Sequence, residues 1–360
     1  MNNVAIRPLK EILELRYGKP ISQVDRDSNG KNYIYGANGI LGKTNKYLID
    51  GDAIIVGRKG SAGQVNRVSG KFWPADVTYY ILENEFFNID YLYFLLNHLN
   101  LPKLAKGVKP GLNRNDVYSI NVPIPSVGIQ KNIAEILYKA QLLYQKREKT
   151  LVLLDDYLKS SFLKMFSKEK TDWLTLKEVS NFIDYRGKTP TKTSSGINLI
   201  TAKNVKEGYL DFNPEEFIAT EDYLSWMRRG FPKAGDILFT TEAPLGNTAI
   251  LPKFDKLAFA QRIIIIQPKA MLKSEFLLFA LNSTAVKDDI FSRSTGSTVK
   301  GIRSKELVKV KIPVPELKKQ EEFVKIYNSK MKLKQKMNVQ LNLMKTQFQA
   351  LMQKSFSLQQ

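Results

Sequence analysis

Two prolines separated by one aliphatic residue, followed by a glutamine and a long stretch free of helix breakers, occur twice in this chain. Ile120-Asn121-Val122-Pro123-Ile124-Pro125 with Gln130 recurs as Val310-Lys311-Ile312-Pro313-Val314-Pro315 with Gln320, an offset of 190 at every position (313 − 123, 320 − 130). Upstream, Tyr93-Phe94-Leu95-Leu96-Asn97 matches Leu278-Phe279-Ala280-Leu281-Asn282 at 185 (278 − 93), and Gly51-Asp52-Ala53-Ile54-Ile55 matches Gly235-Asp236-Ile237-Leu238-Phe239 at 184 (235 − 51). Leu9-Lys10-Glu11 with Gly18-Lys19-Pro20 reappears as Leu176-Lys177-Glu178 with Gly187-Lys188-Thr189-Pro190. Two long repeats are a duplication rather than a solenoid, which needs three or more short units. Two matched halves imply two matched tasks.

A chain of 360 residues with 43% hydrophobic content can bury more than one core. Cysteine is absent and His98 is the sole histidine, which removes thiolate nucleophiles, disulfides and Cys/His zinc sites from consideration. His98 lies in the apolar stretch 91–101, where a packed or surface histidine is expected. No apolar signal core opens the chain, and no apolar run approaches the ~18 residues of a membrane span. A cytoplasmic protein without a membrane partner is the plain expectation.

The 55 Lys and Arg against 35 Asp and Glu leave a net charge of +20. Self-repulsion of that size is retained when a polyanion is the partner, and nucleic acid leads that class. The basic residues stand among amides, hydroxyls and glycines in loop-like segments, such as Gly57-Arg58-Lys59-Gly60-Ser61-Ala62-Gly63-Gln64 and Arg293-Ser294-Thr295-Gly296-Ser297-Thr298-Val299-Lys300. These side chains suit phosphates and base edges.

Each half starts with short β-rich runs between turn signals: 33–35, 53–56 and 77–82 in the first, 236–239 and 263–266 in the second. A helix is expected near 90–97 and again near 274–282. The paired prolines then impose an extended exit, because proline lacks an amide hydrogen and restricts the residue before it. After each exit comes a stretch of coiled-coil character. Ile133, Leu137, Ala140, Tyr144, Leu151, Leu154 and Leu158 fall on a 4-3 rhythm interrupted at Arg147, and Met337, Leu341, Met344, Phe348 and Leu351 keep it in the second. Ile133, Leu137, Tyr144, Leu151, Leu158, Met337, Leu341, Met344 and Phe348 are the expected packing residues. The simplest closed arrangement pairs the two helices antiparallel, as a spacer between two globular heads.

Three motifs carry a family resemblance: Tyr35-Gly36-Ala37-Asn38-Gly39-Ile40, the segment 50–61 (Asp50-Gly51-Asp52 through Arg58-Lys59-Gly60-Ser61), and Phe72-Trp73-Pro74-Ala75-Asp76. They resemble a target recognition domain of the specificity subunit of type I restriction-modification enzymes. The proline exit, the glutamine and the long helix resemble that family's spacer regions. In the second half, Gly187-Lys188-Thr189-Pro190, Ala202-Lys203-Asn204-Val205 with Gly208, and Ala260-Gln261-Arg262 resemble the family's other common recognition pattern.

The resemblance covers nearly the whole chain and implies an α/β (α+β) fold: two mixed α/β recognition domains separated by two long antiparallel coiled-coil helices, related by a pseudo-two-fold duplication. Its boundaries are recognition domain 1 at 1–128, a central spacer helix at 129–168, recognition domain 2 at 169–318 and a C-terminal spacer helix at 319–360. It implies a non-catalytic subunit that binds double-stranded DNA at a bipartite, asymmetric site. Two adenine-N6 methyltransferase subunits, and restriction subunits joined through them, would be directed to that site. No cofactor is expected on this chain; S-adenosylmethionine and Mg-ATP belong to the partner subunits. Expected DNA-binding residues are Asn38, Arg58, Lys59, Ser61, Gln64, Lys106 and Lys109 in the first half and Lys188, Lys192, Arg262, Arg293 and Lys300 in the second. Arg58-Lys59-Gly60-Ser61 aligns by sequence with Glu242-Ala243-Pro244-Leu245, so the half-sites are expected to differ.

Competing chemistries lack their residues. Ala37-Asn38-Gly39-Ile40-Leu41-Gly42-Lys43-Thr44 fits a relaxed P-loop pattern, but a P-loop needs a helix starting at Lys43-Thr44, and the chain turns at Asp50-Gly51. Asn213-Pro214-Glu215-Glu216-Phe217 approaches the Asn-Pro-Pro-aromatic loop of amino-methyltransferases without the second proline. The acidic pairs Asp155-Asp156, Glu215-Glu216 and Asp288-Asp289 have nothing near in sequence to complete a metal-dependent nuclease. A self-contained DNA enzyme and a coiled-coil adaptor remain the alternatives.

Overall fold

The computed structural model describes residues 5–166, 171–185 and 189–357. The chain divides into two compact units, residues 1–150 with 337–360, and residues 151–336. Both long helices, Val127–Phe166 and Leu317–Phe356, contribute one part to each unit.

The first unit holds two four-stranded sheets. One runs in the order Arg16–Tyr17, Thr78–Leu82, Ala53–Gly57, Val65–Val68, all antiparallel. The other contains the hairpin Asn32–Gly36/Gly39–Thr44, with Lys71–Pro74 parallel to the first hairpin strand and Ile49–Asp50 outside it. Helix Ile89–His98 is N-capped by Asn88, whose side chain accepts from the Tyr91 amide at 3.1 Å. Its apolar face, including Tyr91, Leu92, Phe94 and Leu95, closes the core.

The second unit repeats the first sheet. Its strands are Ser180–Asp184, Ile263–Pro268, Ile237–Thr240 and Thr248–Ile250, in that order. A smaller sheet of Phe217–Ile218, Ile197–Ile200 and Ala258–Phe259 stands beside it. Helix Ser274–Asn282 occupies the place of Ile89–His98. Thr175 and Glu178 form a capping box at Leu176–Val179, near the start of the repeat.

The repeated proline signal has one structural meaning in both units. Asn121–Ile124 pairs antiparallel with Ala5–Pro8, and Lys311–Val314 with Asp172–Thr175. Both are two-stranded ladders, where a strand can tolerate a proline that donates no bond. The repeated glutamine is fully buried and makes three bonds. Gln130 accepts from the Asn88 amide at 2.8 Å and donates to the carbonyls of Phe86 and Pro125, each at 2.9 Å. Gln320 accepts from the Lys273 amide at 2.9 Å and donates to Met271 at 3.0 Å and Pro315 at 2.8 Å. Each glutamine thus ties the start of a long helix to the strand that feeds it and to the loop before the domain's own helix.

Within each unit the long helices run antiparallel. In the first, Tyr144 meets Phe348 (ring centroids 5.3 Å apart) and Glu148 pairs with Lys345 at 2.5 Å. In the second, Asp155 pairs with Lys334 at 2.6 Å, Tyr157 lies under Lys330, and Phe162 meets Phe323. Leu137, Leu151, Leu158, Met337 and Leu341 are buried; Ile133, Tyr144, Met344 and Phe348 are half-buried. The helix ends enter the domain cores. Met352 and Phe356 join the first, where Phe356 packs on Tyr91, while Phe162 and Phe166 join the second around Phe276.

One alignment from sequence needs correction. Ladder partners equate Ile54 with Ile237 and Gly57 with Thr240, an offset of 183 (237 − 54) instead of 184, because strand Ala53–Gly57 has five residues where Ile237–Thr240 has four. Every residue of Ala53–Gly57 and Ile237–Thr240 is buried. A strand buried on both faces reads as a continuous apolar run and carries no alternation to set its register. Lys59 therefore corresponds to Glu242, and Arg58 to Thr241.

Candidate nucleic-acid interface

In the first unit a loop leaves strand Ala53–Gly57 and is held by backbone bonds on three sides. Arg58 donates its amide to Val77 and accepts from Leu112, each at 2.9 Å. Gly57 and Gln64 close the loop base at 2.8 Å, and the Gly63 amide donates to Gly57 at 2.8 Å. Lys106 and Gly111 exchange two bonds of 3.0 Å, and the Gly60 amide reaches Pro110 at 3.0 Å. A side chain at Gly57 would sit 2.2 Å from the Ser61 carbonyl and 2.9 Å from that of Ala37, so glycine lets the loop and the hairpin turn approach. This framework gathers Asn38, Arg58, Lys59, Ser61, Gln64, Lys106 and Lys109 on one edge, all exposed except half-buried Arg58.

The second unit builds the same framework. Thr241 donates to Arg262 and accepts from Ile302, each at 3.0 Å. The Thr240–Asn247 and Gly246–Thr240 bonds are 2.9 Å, and Thr295 and Gly301 exchange two bonds of 2.9 Å. Gly301 stands 190 residues after Gly111 (301 − 111), the offset of the proline signal. Arg262 lies in this cluster, ion-paired with Glu242 at 2.8 Å.

Several expected side chains already have protein partners. The Arg58 guanidinium donates to the Asp76 carbonyl at 2.6 and 3.2 Å and lies over the Tyr17 ring, 5.4 Å from its centroid. Lys106 pairs with Asp116 at 2.8 Å, and Lys192 with Glu216 at 2.8 Å. Arg293 is held by Asp289 one helical turn back at 2.7 Å, and Asp289 also accepts from the Lys311 amide, which joins this helix to the proline strand. Lys300 lies over Phe291 at 5.7 Å. Among the described residues no ion pair holds Lys59 or Lys109. Lys188 lies outside the described residues.

Tyr17, Arg114 and Arg303 escaped the sequence reading. Arg114 stands over Tyr17 at 5.5 Å and over Tyr118 at 5.6 Å, so Tyr17 carries two guanidinium groups. The equivalents in the second unit are Asp184 and Ser304, joined by a hydrogen bond from the Ser304 hydroxyl. The repeat Gly111-Leu112 and Gly301-Ile302, at the offset of the prolines, is the signal that could have led to Arg114 and Arg303.

The enzyme-like motifs resolve into structure. Gly39–Thr44 is a strand, where a P-loop needs the start of a helix. Asp155 and Asp289 serve ion pairs on helices, and Glu216 meets Lys192 and Lys203. Among the described residues no group of three or more His, Asp or Glu could hold a metal ion, and no helix is long and apolar enough to cross a membrane.

Two domains of one design, each displaying a loop cluster of differing charge, define a duplicated DNA-recognition class. The family model for the type I restriction modification DNA specificity domain matches residues 1–150 and 168–343, and the chain belongs to that family. A Haemophilus influenzae chain named as a type I restriction enzyme specificity subunit is 25% identical over 341 residues, covering 90% of this chain and 87% of its own. The specificity subunit of the type I restriction enzyme EcoprrI from Escherichia coli is 32% identical over 145 residues, 38% of this chain and 36% of that one. The crystal structure of the S subunit of a type I restriction-modification system from M. genitalium superimposes with a TM-score of 0.63 at 18% identity, covering 100% of this chain and 98% of that chain. The fold is the expected one: two mixed α/β domains and two long helices.

Proposed function

We propose that each unit's loop cluster reads one half of a split double-stranded DNA site, and that the two half-sites differ in sequence. One observation carries this reading: a single backbone framework presents Arg58, Lys59 and Arg114 in the first unit and Thr241, Glu242 and Ser304 in the second. Shared geometry with altered charge is what two readers of unlike sequence require. The net charge of +20 supports a polyanionic partner.

In this reading the chain performs no chemistry. Adenine-N6 methylation, with S-adenosylmethionine, belongs to two methyltransferase subunits docked on this chain, and Mg-ATP to restriction subunits recruited by them, all in the cytoplasm. Exposed apolar side chains on helix Val127–Phe166, including Ile136, Tyr138, Leu143 and Leu153, support such docking.

The test is adenine-methylation mapping by single-molecule sequencing in a host carrying this chain with its methyltransferase partner. The wild type should yield a split motif with unlike halves. Replacing residues 58–64 by the sequence of 241–247 should alter one half only. A palindromic motif, or no motif, would overturn the reading.

A further inference from the structure

The loop cluster of the second unit borders an open, solvent-facing pocket of about 350 Å³, lined among others by Thr241, Glu242, Gln261, Arg262, Thr295 and Arg303. This set mixes donors and acceptors suited to base edges. Glu242 is the anomaly in it. On a chain of net charge +20, a carboxylate in a DNA-reading loop is repelled by every phosphate and meets the DNA itself favourably only where a base donates to it.

The geometry orients Glu242 for that role. Its Oε1 is ion-paired with Arg262 Nε at 2.8 Å, with the two side chains 43% and 52% exposed, so the carboxylate is partly neutralised yet still open to solvent. Its Oε2 lies beside Gly301, where an added Cβ would be 3.4 Å away, and no described residue donates to that oxygen. In the major groove only cytosine N4 and adenine N6 offer a donor; guanine O6 and N7 and thymine O4 are acceptors, which a carboxylate repels. The equivalent residue of the first unit, Lys59, carries the opposite charge.

We infer that Glu242 selects an amino-bearing base, cytosine or adenine, at one position of the second half-site, with Arg262 holding its carboxylate in place. The inference rests on the two-half-site reading above. Glu242 then rejects keto bases by repulsion between two acceptors, while Arg262 keeps further donors for a neighbouring base.

The experiment compares methylation motifs made by the complete complex carrying wild-type chain, Glu242→Gln or Glu242→Ala, with complex assembly followed by size-exclusion chromatography. The wild-type motif should show cytosine or adenine at one second-half position other than the methylated adenine. Glu242→Gln, which can donate as well as accept, should admit guanine or thymine there and raise their methylation roughly ten- to a hundredfold relative to wild type. Glu242→Ala should relax the same position to all four bases, and the first half-site should stay unchanged in both. A split motif that both variants leave unchanged overturns the inference alone, as does uniform loss of methylation at all sequences by an intact complex. Absence of any split motif from the wild-type complex overturns the two-half-site reading and this inference with it.

Discussion

Gln130 and Gln320 show how much one buried amide can organise. Each satisfies one backbone amide and two carbonyls that meet where strand, loop and long helix converge. Leaving a buried polar group unsatisfied costs about 1–3 kcal/mol, so Gln130→Ala should destabilise the protein by about 2–4 kcal/mol, read from the urea midpoint at unchanged slope. Gln130→Glu should be at least as costly at neutral pH, because its carboxylate faces two carbonyl oxygens. A midpoint shifted by less than about 0.5 kcal/mol in both would remove the glutamine from this role. Arg67 gives a pH-dependent counterpart. It bridges Asp52 at 3.0 Å and Asp90 at 2.8 Å, joining strand Val65–Val68 to helix Ile89–His98. The Arg67 hydrogen bond, with one from Ser69, holds the Asp52 carboxyl below the usual range. A lowered folded pKa stabilises above the unfolded value, about 4, and that contribution disappears as pH falls through the folded pKa. Arg67→Ala should therefore cost about 1 kcal/mol at pH 7, the solvent-exposed carboxylates limiting the effect, and the gap to wild type should narrow below pH 4. A gap constant down to pH 2 would assign the loss to packing alone.

At the scale of elements, the long helices bury one stripe and leave another open. Leu137 and Leu158 are buried to within 2% of full, whereas Tyr138 and Leu153 are more than half exposed. Leu137→Ala and Leu158→Ala should each cost about 2–5 kcal/mol through the lost transfer energy and the cavity left behind, while Tyr138→Ser and Leu153→Ser should stay within about 0.5 kcal/mol. Thermal unfolding of the isolated chain separates the two groups. If the exposed pair proved as costly as the buried pair, the packing register would be misassigned. The 4-3 rhythm was readable because a helix repeats its buried face every 3.6 residues, so apolar spacing alone locates the stripe. The strand register was not: Ala53–Gly57 is buried on both faces, and the pattern is silent about a shift of one.

For the whole molecule, net charge and duplication lead to separable measurements. DNA affinity of the assembled complex should fall linearly with log salt, and Lys59→Ala, if its ammonium meets a phosphate, should reduce the slope by about 1 and weaken all sequences alike. An unchanged slope would move Lys59 from phosphate contact to base reading. Arg58→Ala also frees the Asp76 carbonyl and uncovers Tyr17, so its effect reports on the loop's shape as well as its charge.

The duplication and the helix pair are both visible in the linear chain, because each depends on residue identity at a fixed spacing. Side-chain availability is not. Arg293 is engaged by Asp289, Lys192 by Glu216 and Arg262 by Glu242, and these partners stand anywhere from one helical turn to some two dozen residues away along the chain. Tyr17 collects Arg58 and Arg114 from opposite parts of the first domain. A charge repeats with no period and its partner is chosen by folding in three dimensions, so spacing can name the basic residues of a loop, but only the packed domain decides which of them still face outward and which carboxylate stands among them.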